Sequence, residues 1–212
     1  MCATRTKIIN DIAQIKFPAL RISNIVYGRE RRGNRVFYLV DPKGHGTQKK
    51  VAESVVLSRW RKRQYQDFEF DGCRLGPNFW RELPKLLTDN VTLLQQATTD
   101  VIEIIYRINK QDETKFLTKF PKPEALYALI QIAGPDRLKS LIERHNAVER
   151  KGDYGTPDLF LYSRHVPTNR YGRSVFVEVK KPDEPLSSDQ KNEINFLQSL
   201  GFHARVLRLI ER

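Results

Sequence analysis

The hydrophobic pattern at the start of the chain predicts a β-hairpin over residues 19–41. Two apolar, β-branched runs, at 19–27 and 35–40, are separated by the polar stretch 28–34, which contains two glycines and is typical of a turn. Residues 41–46 then predict a linker. Four arginines lie in the turn or directly after it and give the hairpin a basic tip: Arg29, Arg31, Arg32 and Arg35.

Helical spacing replaces this pattern from residue 49 onward. Val51, Val55 and Val56 share one stripe of a helix predicted over 49–65, and the segment 67–72 interrupts it. We expect both tryptophans, Trp60 and Trp80, in the hydrophobic core. Further apolar periodicities predict helices at 77–87, 98–110, 124–133 and, after the break at Gly134-Pro135, 136–150.

The last 60 residues carry the clearest pattern. Short apolar runs predict strands at 158–162 and 174–180. Ser187 and Gln190 form a capping box that opens a helix, Gly201 ends this helix, and 202–210 predicts a final strand. Strand, strand, helix, strand after a leading helix predicts an α/β sheet with a right-handed crossover.

The charge distribution indicates a polyanionic partner. The chain has 212 residues, with 37 Lys and Arg against 25 Asp and Glu, a formal net charge of +12. Of these, 15 basic and only 4 acidic side chains fall within residues 1–63, so the remainder is nearly neutral. A basic arm gives affinity for nucleic acid through phosphate contacts, although a solvated basic surface is the alternative interpretation.

Several classes of protein are disfavoured by the composition. No stretch approaches the roughly 18 apolar residues that span a bilayer, and the first residues do not resemble a signal peptide. The two cysteines, Cys2 and Cys73, provide neither a disulfide framework nor a zinc site. We therefore expect a soluble intracellular protein, cytoplasmic and nucleoid-associated or nuclear.

Candidate chemistry lies on the two C-terminal strands. Alternation in the second strand places Glu178 and Lys180 on one face, about 6.6 Å apart along the strand, with Val175, Val177 and Val179 on the other. Asp158 begins the first strand, where its carboxylate can converge with that of Glu178 on a hard divalent cation. The ammonium of Lys180 can orient an attacking water and offset phosphate charge. A solvated Glu-x-Lys face is the alternative, but charged groups in so apolar a strand are costly unless paired or metal-bound.

These residues resemble a known signature. Pro157-Asp158 followed on the next strand by Glu178-Val179-Lys180 is similar to the motif of the PD-(D/E)xK nuclease superfamily. The strings 155–160, 176–182 and 186–190 resemble its VRR-NUC branch, and most of all the Fanconi-associated nuclease type. The Gly134-Pro135 helix and the stretch from Val51 to Gly72 extend the resemblance over residues 49–212.

The resemblance implies a fold and a domain organisation. The fold is a restriction-endonuclease-like core, a mixed central sheet flanked by helices, together with an N-terminal helical region and the basic β-hairpin. The hairpin arm would occupy 1–48 and the nuclease domain 49–212, with its helical part at 49–133 and its catalytic core at 134–212.

The resemblance also implies ligands for Mg²⁺ or Mn²⁺. Asp158, Glu178 and an upstream acid would hold the ion, while Lys180 assists the water and Gln190 contacts the water or the substrate. The family has a glutamate before glycine as the upstream ligand, and this chain has Asp71-Gly72 there. Asp71 is therefore the expected ligand. Three alternatives stay open: Glu69, Glu143 and Glu149.

The implied function is hydrolysis of DNA phosphodiester bonds, with a preference for flap or branched DNA in repair or processing. The arginines at the hairpin tip are candidates for DNA contact. A Holliday-junction resolvase, a restriction-type endonuclease and a non-catalytic DNA-binding module remain alternatives, and homodimer formation is left open. A histidine-metal nuclease is not expected, because the histidines are scattered over the predicted elements: His45, His145, His165 and His203.

Overall fold

A computed structural model describes the residues 26–32, 35–40, 48–75, 123–147, 155–181 and 184–209. Up to residue 50, it describes the backbone. The predicted linker at 41–46, the helices at 77–87 and 98–110, and Trp80 lie outside the described residues. Within the described ranges, no helix is both long enough and apolar enough to cross a membrane.

The first sheet contains the predicted hairpin. Strands β1 (Val26–Arg32) and β2 (Arg35–Val40) pair antiparallel, and β3 (Gln48–Lys50) adds to β2. Strand β2 has the predicted bounds, but β1 extends further than expected, because Arg32 is already paired with Arg35. The predicted turn at 28–34 is therefore wrong in length: Arg29, Arg31 and Arg32 belong to β1, and Arg35 belongs to β2.

The second sheet holds the candidate site. Its order is β4-β5-β6-β7, with β4 and β5 antiparallel, β5 and β6 antiparallel, and β6 and β7 parallel. The strands are β4 (Phe68–Arg74), β5 (Leu159–His165), β6 (Arg170–Lys180) and β7 (His203–Arg208). A short 3-10 helix, Val166–Thr168, joins β5 to β6. This mixed sheet confirms the predicted α/β class.

In the described part of the chain, three helices flank this sheet: α1 (Ala52–Arg61), α2 (Pro123–Ala147) and α3 (Ser188–Ser199). Helix α2 is two helical segments that meet at Gly134, whose φ of 68° lies in the left-handed region. The predicted break at Gly134-Pro135 is thereby confirmed. Glycine reaches this conformation without the steric cost of a Cβ atom.

The two faces of the sheet pack against different helices. Val175, Val177 and Val179 of β6 lie in one cluster with the buried side chains of α1. Phe160 and Phe176 belong to the opposite cluster, which contains the buried residues of α2 and α3. The predicted alternation of β6 is confirmed, since successive side chains of a strand point to opposite faces.

Trp60 connects α1 to this sheet. Its side chain is 2% exposed, and its indole Nε1 donates hydrogen bonds to the carbonyl oxygens of Asp71 (2.9 Å) and Tyr162 (3.1 Å). The ring also contacts Phe70 edge-on, with centroids 5.0 Å apart. The prediction that Trp60 is a core residue is confirmed, and its donor is satisfied as a buried indole requires.

Strand β4 is an element that the sequence prediction missed. An interruption between helices was expected at 67–72, but Phe68 and Phe70 are buried on the α1 face of a regular strand. The Asp-Gly pair in this strand makes no turn. A Cβ atom on Gly72 would lie 2.5 Å from the carbonyl oxygen of Phe160, so glycine here permits the close approach of β4 to β5.

Candidate active site

Glu178 and Lys180 are buried at the C-terminal end of β6. They are 3% and 4% exposed, and the Lys180 ammonium lies 3.1 Å from Oε1 of Glu178. Both belong to the face of the sheet that Phe176 shares with α2 and α3, as the alternation of a strand requires. With so little exposed surface, this pair of charges is largely shielded from solvent.

Asp158 reaches the same end of the sheet from β5. It immediately precedes Leu159, which pairs with Val177, so Asp158 stands beside the position of Glu178 on the neighbouring strand. Its carboxylate accepts a hydrogen bond from the backbone N–H of Val179 at 2.8 Å. The structure therefore brings Asp158, Glu178 and Lys180 together at one strand end.

Gln190 joins this group from the first turn of α3. Its side-chain oxygen accepts a hydrogen bond from the backbone N–H of Ser187 (3.0 Å), and its own backbone N–H donates to Oγ of Ser187 (3.2 Å). The predicted capping box is confirmed. The same side chain donates from Nε2 to Oε1 of Glu178 at 2.5 Å. Capping and contact with the site are thus made by different atoms of one amide.

Gly155 fixes how closely α3 approaches the Pro-Asp loop. Its φ is +70°, and a Cβ atom built on it would lie 2.4 Å from the carbonyl carbon of Asp189 and from the backbone nitrogen of Gln190. Only a residue without a side chain permits this approach. The loop that ends at Asp158 and the first turn of α3 are therefore in direct backbone contact.

The electrostatics of the site show an excess of carboxylates. Burial raises the pKa of Asp158 to about 6, an effect that the Val179 hydrogen bond opposes and the charge of Glu53 increases. Burial, together with the charge of Asp158, raises the pKa of Glu178 to about 7. For Lys180, burial acts against the charge, but ion pairs with carboxylates outweigh it and raise its pKa. The ammonium alone does not compensate the buried Glu178 and the half-buried Asp158.

The structure does not bring Asp71 to this group. Asp71 pairs with Tyr162 of β5, four positions along the strand from Asp158, and its Oδ1 lies 2.6 Å from Nε of Arg61. It lines a separate cavity of about 510 Å³, together with Arg61 and Arg164.

Of the three alternative upstream acids, the two that the structure describes also lie away from this site. Glu69 forms an ion pair with Arg164. Glu143 is exposed on α2 and lies 3.7 Å from Lys139. Glu149 lies outside the described residues.

Glu53 is an acid close enough to act on Asp158 that was not among the predicted ligands. It occupies the first turn of α1, and its charge acts on Asp158. Its Oε2 is buried and has no hydrogen-bond partner within the described ranges, although Arg74 lies 3.9 Å away. The signal was the position of Glu53 at the start of a predicted helix, but only the packing of α1 on the sheet brings it near Asp158.

The sequence model of the VRR-NUC domain matches residues 95–209, more than half of the chain. The chain belongs to the VRR-NUC domain family. The match includes Asp158, Glu178, Lys180 and Gln190, but α1 with Glu53 and strand β4 precede it. In this VRR-NUC protein the four-stranded sheet is therefore completed by residues before the family segment. Comparison with curated proteins gives no match.

Solved structures with a similar arrangement include two of paFAN1. The crystal structure of paFAN1 bound to DNA with a 2-nucleotide 5′ flap and a gap has a TM-score of 0.52, and the complex with a 1-nucleotide 5′ flap has 0.47. Sequence identity is 15% in both, and the matches cover 76% and 77% of this chain. They cover 35% of paFAN1, so this VRR-NUC chain spans about a third of its length. At this identity, the first match shows the fold.

The donor set of this VRR-NUC site fits a divalent metal ion. Oε2 of Glu178 is buried without a hydrogen-bond partner among the described residues, as is Oε2 of Glu53. Within the same ranges, no three His, Cys, Asp or Glu side chains form a ready-made coordination cluster. Mg²⁺ commonly uses one or two carboxylates and takes its other ligands from water and phosphate, so Asp158 and Glu178 suffice as its protein anchors.

Proposed function

We propose that this chain is a metal-dependent DNA nuclease that hydrolyses phosphodiester bonds in flap or branched DNA. One observation carries the proposal: within a VRR-NUC domain, Asp158, Glu178 and Lys180 meet at one strand end, and Gln190 contacts Glu178. Carboxylates whose pKa values are raised by burial and by neighbouring acids, beside an ammonium, are typical of a functional site.

Each side chain has a role in this proposal. Asp158 and Glu178 would hold Mg²⁺ or Mn²⁺, and Glu53 replaces Asp71 as the third acid. When bound, such an ion supplies Lewis acidity that activates water and stabilises charge on the phosphoryl oxygens. Lys180 remains protonated because its pKa is raised, so it orients the water and offsets phosphate charge as a hydrogen-bond donor. Gln190 holds the carboxylate of Glu178 in orientation.

DNA is the proposed partner because of charge and fold. The net charge of +12 is concentrated in the first third of the chain, which includes the basic hairpin. Strand β3 crosses the boundary expected at residue 48, so we assign the sheet of 26–50 as a whole to the DNA-contacting arm. The preference for flaps is supported by the similar fold of paFAN1, which was crystallised with 5′-flap DNA.

The test compares the wild-type protein with Asp158→Asn and Asp71→Asn on labelled 5′-flap, four-way-junction, plain duplex and single-stranded DNA. Each reaction is run with Mg²⁺, Mn²⁺ or EDTA. We expect the wild type and Asp71→Asn to cut the flap in either metal, and Asp158→Asn to lose at least about 100-fold in rate. Activity that survives EDTA, or equal activity of Asp158→Asn, would contradict the assignment.

The panel also separates the alternatives. A preference for the four-way junction would indicate a resolvase, and a preference for plain duplex would indicate a restriction-type enzyme. Stabilisation by Mn²⁺ without cleavage of any substrate would indicate a non-catalytic DNA-binding module.

A further inference from the structure

The ammonium of Lys180 lies between two carboxylates. Nζ is 3.1 Å from Oε1 of Glu178 and 3.2 Å from Oε1 of Glu184, four residues further along the chain. The side chains of Lys180 and Glu178 are 5% and 4% exposed, whereas that of Glu184 is 41% exposed. Glu184 therefore stands on the solvent side of a buried pair.

Glu184 is itself held in place by the backbone. Its Oε2 accepts a hydrogen bond from the backbone N–H of Lys181 at 3.3 Å. Its carbonyl oxygen accepts one from Arg208 at 3.1 Å, and the same guanidinium nitrogen donates to the carbonyl oxygen of Lys181 at 3.0 Å. Since Arg208 pairs with Lys180 in the parallel ladder of β6 and β7, the neighbouring strand determines where the Glu184 carboxylate lies.

Glu178 is shared between the ion pair with Lys180 and the proposed metal ion, for which its Oε2 has no hydrogen-bond partner among the described residues. Its Oε1 already accepts hydrogen bonds from Lys180 and Gln190, and the proposed function requires the same carboxylate to hold a metal ion. A metal ion on Glu178 would neutralise part of the charge that stabilises the ammonium, and a buried ammonium without a compensating carboxylate is strongly destabilised. Glu184 is a second carboxylate within reach of Lys180, and it makes no contact with Gln190 among the hydrogen bonds of the described residues.

We propose that Glu184 is the positioning residue for Lys180: it retains the ammonium at the site when Glu178 also binds the metal ion, and it is not a metal ligand. This role rests on the proposed nuclease function. Glu184 acts on the reaction through Lys180. Removing the Glu184 carboxylate is therefore expected to lower kcat much more than the affinity for metal or DNA.

The experiment compares the wild-type protein with Glu184→Gln, which keeps the shape but removes the charge, and with Glu143→Gln, an exposed acid on α2 that serves as the matched control. Three quantities are measured. The first is the pair kcat and KM on 5′-flap DNA with Mn²⁺, and the second is the Kd for Mn²⁺ by calorimetry. The third is the rate at which acetic anhydride acetylates Lys180 in the absence of metal and DNA, measured by mass spectrometry.

For Glu184→Gln we expect kcat to fall by about 10- to 100-fold, with KM and the Mn²⁺ Kd within about threefold of wild type. Lys180 should be acetylated about tenfold faster, because the ammonium has lost one of its two carboxylates. Glu143→Gln should match the wild type throughout. A structural defect alone would not combine a specific gain in Lys180 reactivity with unchanged KM.

Two outcomes would overturn the proposal. Unchanged Lys180 reactivity would show that Glu184 does not hold the ammonium, and a Mn²⁺ Kd that rises in step with the loss of kcat would make Glu184 a ligand. The acetylation and metal-binding measurements need no cleavage. If the wild type cuts no DNA, the proposed nuclease function fails. The acetylation rate still tests Glu184 in that case: faster acetylation of Lys180 in Glu184→Gln shows that Glu184 holds the ammonium, and an unchanged rate shows that it does not.

Discussion

Gln190 of helix α3 donates a hydrogen bond to Oε1 of Glu178 on strand β6, and the same side chain closes the capping box with Ser187. A residue that both begins a helix and touches a proposed metal ligand couples the helix position to the site. The two functions can be separated by substitution, because Ser187 contributes to the cap alone.

Ser187→Ala is expected to reduce the free energy of unfolding by about 1 kcal/mol with little change in kcat, since only the N-cap is lost. Gln190→Ala should lose a similar amount of stability but also about tenfold or more in kcat, because Glu178 loses its hydrogen-bond donor. Urea unfolding and flap-cleavage kinetics measure the two quantities. Equal kcat values in the two variants would show that Gln190 acts only in capping the helix.

Gly155→Ala is expected to destabilise the protein more than Gly201→Ala does. Both glycines have positive φ, so each substitution carries about 1–2 kcal/mol of left-handed strain. At Gly201 the nearest atom is 4.0 Å from the added Cβ, whereas at Gly155 the Cβ would overlap the backbone of Asp189 and Gln190. Overpacking there adds about 1–3 kcal/mol. Thermal unfolding of both variants checks the difference.

Glu53→Gln tests the third acid against the one expected from the sequence. Removing this carboxylate should raise the Kd for Mn²⁺ by at least about tenfold, because a proposed ligand beside Asp158 is lost. Asp71→Asn is the matched control and should leave the Kd within about twofold of wild type, since Asp71 is bound to Arg61 in a different cavity. The reverse ranking in calorimetry would restore Asp71 as the ligand.

The metal-free protein should lose stability as the pH rises. The pKa values of Asp158 (about 6) and Glu178 (about 7) lie above the roughly 4 of unfolded carboxyl groups, so the folded state binds more protons between these limits. The free energy of unfolding therefore falls from about pH 4 to pH 7. Urea titrations in EDTA measure this decline, and Glu178→Gln should flatten its upper part. A Glu143→Gln control that flattened it equally would contradict this origin.

Replacing Arg29, Arg31, Arg32 and Arg35 by alanine tests the hairpin arm. Each phosphate contact that is lost should reduce the slope of log K against log salt by about 0.9. The rate of cleavage at saturating DNA should stay unchanged, because these residues belong to the other sheet. Binding isotherms at several salt concentrations give the slope. A slope equal to that of the wild type would show that these arginines do not contact DNA phosphates.

Local sequence patterns could predict the site residues that lie within a single strand or in the first turn of a helix. Alternation in β6 placed Glu178 and Lys180 on one face, and the capping pattern located Gln190. Strand β4 was missed although Phe68 and Phe70 alternate with acids, because Asp71-Gly72 has the composition of a turn. Only the close contact of Gly72 with Phe160 explains that glycine.

Glu53 could not be found in this way. It approaches Asp158 from an element more than 100 residues earlier, through the packing of α1 on the opposite face of the sheet. Likewise, the turn of the hairpin was predicted too long because Gly28 and the charged residues at 29–32 resemble a polar turn, whereas pairing with β2 keeps them in the strand. Long-range packing and cross-strand pairing decide both cases.

The family segment begins at residue 95, yet α1 and β4 precede it. A truncation that starts there would uncover the valine stripe of β6 and take away the ladder partner of β5. Exposed apolar surface and an unpaired strand edge together promote aggregation. Expression trials should therefore retain α1 and β4 together with the family segment, because these two elements cover and pair the strands that carry the site.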